Sequence, residues 1–466
     1  MIAGVAAGHP ATATAGAEIL AEGGTAADAA VAACLASCVA ETVMTGLLGG
    51  GHGVYLDATA GTVRNLDCFC AVPGLGPAPP HTPELVDLQV PFGAELVHYA
   101  IGAASCAVPG VPAGLDELWR AHGRLPWPRL FEPALLLARN GVEMPPAHAS
   151  CLEMLAPVMT MREGARMYAP GGMLLRAGER LQQPGLERAL AALAEEGAAA
   201  AYTGSIGESL LALSTERGGL LTREDLAAYE PRWSEPVELN RLGRRFLTRG
   251  GLSGMPSTLE RLPSLGGLCP AERVLTLVSV LDDDATAPET HTTNLVTVDD
   301  AGNACVLTTS LGLGSGDWLP GLDLHLNSML GEVELLRGAL EPGGRMQSMM
   351  APTLVLDDDG LVLALGAAGG TRLRTALLTV GAGILEEGLE PQEAVDRPRV
   401  HPAGDVVNAE PGVDTEALAA LEAAGRTVRR WPAPHHYFGG VSAIGRRGSA
   451  GDPRRSGAAL AVRPRR

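Results

Sequence analysis

The rhythm of apolar and polar positions changes along the chain. In the first half it marks helices: residues 13–21, closed by Gly23 and Gly24, and residues 26–39, with Thr25 placed to cap them. Residues 114–121 and 133–139 follow, closed by Gly123 and Gly141. Residues 186–200 are rich in Ala, Leu and Glu, and Thr222 heads a short helix with acids in its first turn. The segment 26–39 is apolar all round, which predicts burial on most sides. From Thr292 onward the pattern turns strand-like. Residues 295–298 and 304–309 flank the turn 299–303, and residues 354–356 and 361–365 flank 357–360. Two hairpins are predicted there, then a helix over 374–386 and closing strands over 441–444 and 458–462. Strands and helices are segregated, which predicts an α+β fold of packed sheets covered by helices. Between them, residues 248–289 change composition to Gly, Ser, Pro and three acids around the apolar piece 274–281. The end of that stretch is the candidate linker.

Composition narrows the chemistry. Aromatic residues are only 3% of the chain, so Ala, Leu and Val must fill the core. All 35 basic residues are Arg, which excludes a lysine Schiff base and a Gly-Lys-Ser/Thr phosphate loop. A net charge of −18 argues against nucleic acid as a partner. The basic C-terminal stretch (Arg446, Arg447, Arg454, Arg455, Arg463, Arg465, Arg466) reads as a solvated tail or surface ion pairs. Cys34/Cys38 and Cys68/Cys70 are not followed by a second pair, so neither a metal nor a cofactor is expected. No basic segment leads into an apolar run at the start, and residues 26–40 carry Asp28. The expectation is a cytoplasmic protein with no membrane partner.

Chemistry concentrates in the second half. A threonine hydroxyl needs an adjacent base to act as a nucleophile, and a free α-amine on the same residue is one. Thr292 would gain that amine if the chain were cut between His291 and Thr292. Thr293 sits beside it, and Thr308, Thr309 and Ser310 end the strand expected to pair with it. Each of these also reads as ordinary strand polarity. Gly369-Gly370, after a strand and before a helix, can aim two backbone N–H groups at one oxygen, or simply make a turn. The glycines 49–51 read as a close backbone approach or a flexible loop.

Taken together and in order, these pieces resemble the gamma-glutamyltranspeptidase family of N-terminal-nucleophile hydrolases. The resemblance runs through His9-Pro10, residues 23–32, 49–51, 108–114, 123–127 and 219–226. It continues through 292–304, 314–316, 348–353, 369–372 and 451–454. It implies a four-layer αββα sandwich and self-cleavage at His291–Thr292. Residues 1–291 would form a large chain and 292–466 a small chain carrying the nucleophile, together one domain. It implies Thr292 as nucleophile and base, Thr293 and Ser310 as positioning groups, and Gly369 and Gly370 as the oxyanion hole. The substrate-reading positions would be Phe69, Asn327, Glu332, Ser348 and Met349.

Several of those positions depart from the family pattern. Phe69 stands where the transpeptidases carry an Arg for the substrate's α-carboxylate, and Met329 replaces a polar group that grips the α-amine. Glu332 stands for a final Asp, Met349 for a second Ser, and Asn294 for a frequent His. The expected substrate is therefore a small amide or gamma-glutamyl-like molecule, less polar or differently anchored than glutathione. True glutathione turnover, with Arg397 or Arg399 supplying the missing charge, is the enzymatic alternative. A non-catalytic binding protein on the same fold is the third reading.

Overall fold

The computed structural model describes residues 2–92, 95–282 and 292–463. Two antiparallel sheets lie face to face. The first has seven strands, in spatial order Ala458–Ala461, Gly4–Ala7, Thr293–Val298, Ala304–Ser310, Gly50–Asp57, Thr62–Cys68 and Arg232–Ser234. The second has six, in order Gly448–Gly451, Gly440–Gly445, Gly360–Ala368, Thr353–Asp357, Arg244–Thr248 and Val237–Arg241. Their facing sides meet in a layer of small and branched residues that includes Val54, Val296, Val306, Leu354, Ala364 and Ile444. Alternation along each strand sends every second side chain into this layer and the others toward the helices. Both sheets contain strands from both sides of position 292, and in the first sheet the two sets alternate around the Thr293 strand.

Helices Pro10–Ala21 and Ala26–Ala40 cover the first sheet, and Arg372–Leu385 with Pro391–Asp396 covers the second. The result is the αββα sandwich and α+β class expected from the sequence. Every residue of Ala26–Ala40 is buried. Thr25 caps it in a reciprocal box with Asp28, as Thr222 does with Asp225 for Arg223–Ala227. Asp299, in the turn of the Thr293 hairpin, accepts from Ala26 N at 2.9 Å, and Thr297 Oγ1 donates to Ala26 O at 2.7 Å. The buried helix and the candidate nucleophile strand are thereby locked in register.

Three regions differ from the sequence expectation. The stretch 248–289 holds two helices among its described residues, Met255–Arg261 and Pro270–Asp282. Its end, the candidate linker, lies outside the described residues, as does His291. Two of the C-terminal arginines, Arg454 and Arg455, are buried rather than solvated, Arg454 pairing with Glu410 and Asp452, while Arg446 does form a surface pair with Asp357. Residues 86–101 form the strands Val86–Phe92 and Glu95–Ile101, a hairpin that the composition of that segment does not announce. Among the described residues no helix is long and apolar enough to cross a membrane.

Candidate active site

Thr292 immediately precedes the strand Thr293–Val298 and is 2% exposed. Its neighbouring strand supplies the expected hydroxyls, with Thr293 opposite Thr309 and Asn294 opposite Thr308. On the far side Ser310 pairs with Gly50 and Thr309 with Gly51. The glycines there are a close approach: a Cβ on Gly49 would lie 2.1 Å from Ser310 O, and one on Gly51 would lie 2.6 Å from Thr308 O.

Two cavities meet at Thr292. One is lined by Phe69, Ser310, Met329, Glu332, Leu335, Ser348, Met349, Met350 and Leu373. Its walls are aromatic, thioether and aliphatic. Phe69 stacks on His52 with ring centroids 5.3 Å apart, so its ring is fixed from behind. Glu332 is fully buried, and neither carboxyl oxygen has a hydrogen-bond partner among the described residues. Burial, reinforced by the neighbouring Glu334, holds its pKa well above the carboxylate range, so the acid is neutral. Ser348 Oγ accepts from Met350 N at 3.2 Å, which pins the loop that carries Met349.

The other cavity is polar and includes Gly8, Glu41, Met44, His148, Thr293, Asn294, Asp452 and Arg455. Glu41, at the C-terminal end of the buried helix, accepts from Thr12 Oγ1 at 2.6 Å and from Thr293 Oγ1. A Cβ on Gly8 would lie 2.5 Å from Glu41 Oε2 and 2.8 Å from Thr293 Oγ1, so glycine is required for this contact. Burial raises the Glu41 pKa to about 7, opposed by its two threonine donors and by the charge of Arg455. Thr309 Oγ1 hydrogen-bonds Thr45 Oγ1 at 2.8 Å.

Neither Gly369 nor Gly370 lines either space, but both stand in sequence between residues that do: Ala368 lines the polar cavity and Leu373 the apolar one. Gly369 has φ of 124° and Gly370 of 56°, left-handed conformations that glycine alone adopts freely. A Cβ on Gly369 would lie 2.8 Å from Gly439 Cα. Both glycines are buried, and the turn lets bare backbone pack closely against its neighbours.

Of the residues predicted from sequence, Thr292, Ser310, Phe69, Glu332, Ser348 and Met349 line one cavity and Thr293 the other. Asn327 is placed differently. Its amide donates to Leu48 O and Ala107 O, both at 2.8 Å, and accepts from Ala107 N and Met329 N. Its amide also donates to Cys106 Sγ at 3.4 Å, and the rest of its capacity holds backbone together. Arg397 and Arg399 are also committed elsewhere, to Glu387 and Asp452 at 2.6 Å each, and line neither cavity. Glu41 and Arg455 were missed. For Glu41 the available signal was an acid directly ending an all-apolar helix; Arg455 was hidden among surface-like arginines. Among the described residues no cluster of His, Cys, Asp and Glu could hold a metal ion.

A family model described as Gamma-glutamyltranspeptidase matches residues 12–273 and 270–462. The chain is 28% identical to "Acylase ACY 1 proenzyme" of Pseudomonas sp. (strain V22), over 94% of this chain and 88% of that one. It is 27% identical to "Glutathione hydrolase proenzyme 1" of Schizosaccharomyces pombe, over 91% and 78%. In three dimensions it matches a cephalosporin acylase from Bacillus halodurans with a TM-score of 0.85, over 100% of this chain and 96% of that one. At 22% identity, that last likeness is one of fold.

Proposed function

The chain belongs to the gamma-glutamyltranspeptidase family and is a self-processing amidohydrolase or acyltransferase, and from that premise we propose that it removes an apolar acyl group from a small amide through an ester on Thr292. The observation that carries this reading is the apolar cavity beside Thr292. Phe69, Met329, Leu335, Met349 and Leu373 form its walls, and the carboxyl within it is neutral. An α-carboxylate entering that space would lose its hydration and meet no cation, a cost of several kcal/mol on the order expected for an unpaired buried charge.

Cleavage at His291–Thr292 frees the Thr292 amine. That amine takes the hydroxyl proton as Oγ bonds to the substrate carbonyl carbon. Negative charge moves to the carbonyl oxygen, which the N–H groups of Gly369 and Gly370 receive. The carbon–nitrogen bond then breaks, and the leaving amine takes the proton back from the Thr292 ammonium. Water repeats the sequence on the ester and releases the acid; an amine in its place gives a new amide. Thr293 and Ser310 hold Thr292 in its rotamer throughout.

Gamma-glutamyl transfer with a rearranged anchor has less support, because the arginines that could have replaced the missing charge are paired elsewhere. The test is competition between amides that share one leaving amine but differ in the acyl group. Processed protein is expected to show a higher kcat/KM for a straight-chain acyl amide than for the gamma-glutamyl amide. The reverse order would reject the apolar reading while leaving the family intact.

A further inference from the structure

The polar cavity contains a cation with no ion-pair partner among the described residues, though it feels the more distant Asp452 and Glu41. Arg455 is 5% exposed. Among the described residues its guanidinium has no carboxylate at ion-pair distance. Nη1 touches the Met44 sulfur at 2.9 Å, and Nε has no partner. Nη2 lies 3.4 Å from where a Cβ on Gly369 would be, beside the turn next to Thr292. A buried guanidinium is costly unless paired or used.

The other ionisable groups around this space do not cancel it. Asp452 keeps its charge but spends it on Arg399 at 2.6 Å and Arg454 at 3.2 Å. Burial pushes His148 down to about 3, so it is neutral. Glu41 is neutral until about pH 7, and Glu332, in the adjoining cavity, is neutral too. Arg455 is thus the charged group on these walls without an ion-pair partner of its own among the described residues, and Glu41 adds its full opposing charge only above about pH 7.

We infer that Arg455 keeps the Thr292 α-amine in its free-base form, so that the nucleophile's own base is ready to accept a proton. A fixed positive charge nearby disfavours the ammonium form of an amine, and amines are activated in this way when a second cation is their neighbour. Arg455 is a positioning residue in the electrostatic sense: it touches neither substrate nor the reacting atoms. The inference rests on the Thr292 reading above, and its test separates the two.

The first measurement uses the wild-type protein. The Thr292 amine is labelled with an acylating reagent across pH 5–9, and the mass of the small chain reports the labelled fraction. The midpoint is expected roughly one unit below the ordinary α-amine value of about 7.7–8.0. The second compares the acid limb of the kcat/KM profile in Arg455→Gln and Arg455→Lys. The neutral variant should move that limb up by about one unit, and the lysine, which keeps the charge, should restore it. Glu41→Gln, neutral at every pH, should leave the limb at or below its wild-type position. A wild-type midpoint at the ordinary value, or a lysine variant shifted as far as the glutamine one, overturns this inference alone. A chain that stays uncut has no such amine and overturns both readings.

Discussion

The two cavities that share Thr292 are built from opposite materials. The apolar one is walled by Phe69, Met329, Met349 and Leu373 and neutralises its only acid by burial. The polar one gathers Glu41, Thr293, Asp452 and Arg455, and its guanidinium has no ion-pair partner among the described residues. The difference teaches a division of labour around one side chain. One side is shaped to accept a group and says little about protons; the other handles protons and has little shape to offer. Most departures from the family pattern fall on the accepting side (Phe69, Met329, Glu332, Met349), with Asn294 the exception on the polar side, while Thr293 and the glycine turn are kept.

That separation can be broken deliberately. Thr292→Ala removes the group common to both spaces, and both cleavage of the precursor and amide turnover should fall to background, read on a denaturing gel and by product formation. Gly369→Ala comes next. A methyl there would press on Gly439 Cα at 2.8 Å and strain a φ of 124°, so the turn must shift. The expected loss is about a hundredfold in kcat with little change in KM, as for a displaced oxyanion donor. If KM rises instead, the turn serves binding.

Phe69→Arg tests the accepting side alone. It should raise the gamma-glutamyl to apolar-acyl ratio of kcat/KM by about tenfold through a new charge-assisted bond. The pH profile should stay where it was; a shifted profile would mean that the two sides are coupled. The smallest effect is one of stability. The Glu41 pKa is 4.5 in its ordinary state and about 7 in the folded chain. The folded protein therefore holds the proton more tightly than the unfolded one. The stability this supplies is fully present below pH 4.5 and falls as pH rises toward 7, by about 3 kcal/mol at most. Glu41→Gln should remove that dependence, so urea unfolding at pH 5 and pH 8 should differ less in the variant than in the wild type. An unchanged difference would place the titration elsewhere.

How much of this was legible in the sequence follows from local physics. The Thr293 hairpin announced itself by alternation and a five-residue turn, and the buried helix by its unbroken apolar run behind Thr25. The Gly369-Gly370 turn was visible because glycines between a strand and a helix mark a left-handed backbone. Long-range pairing was not visible. Arg454 and Arg455 look like solvated residues until Glu410, Asp452 and Met44 are brought beside them from elsewhere in the chain. Asn327 looks like a substrate ligand until its amide is found bonded to Leu48 and Ala107. The helix Pro270–Asp282 was masked by the Gly, Ser and Pro preceding it and the acids that end it. Glu41 became meaningful only when folding set Thr12 and Thr293 against its two oxygens.

The central claim is that a backbone cut turns Thr292 into its own base. N-terminal sequencing of the small chain, with intact mass of both chains from freshly purified protein, tests it most directly. The account predicts two chains, the smaller beginning Thr-Thr-Asn-Leu-Val. One intact chain in protein that turns over amides, or a small chain beginning at any other residue, would contradict it.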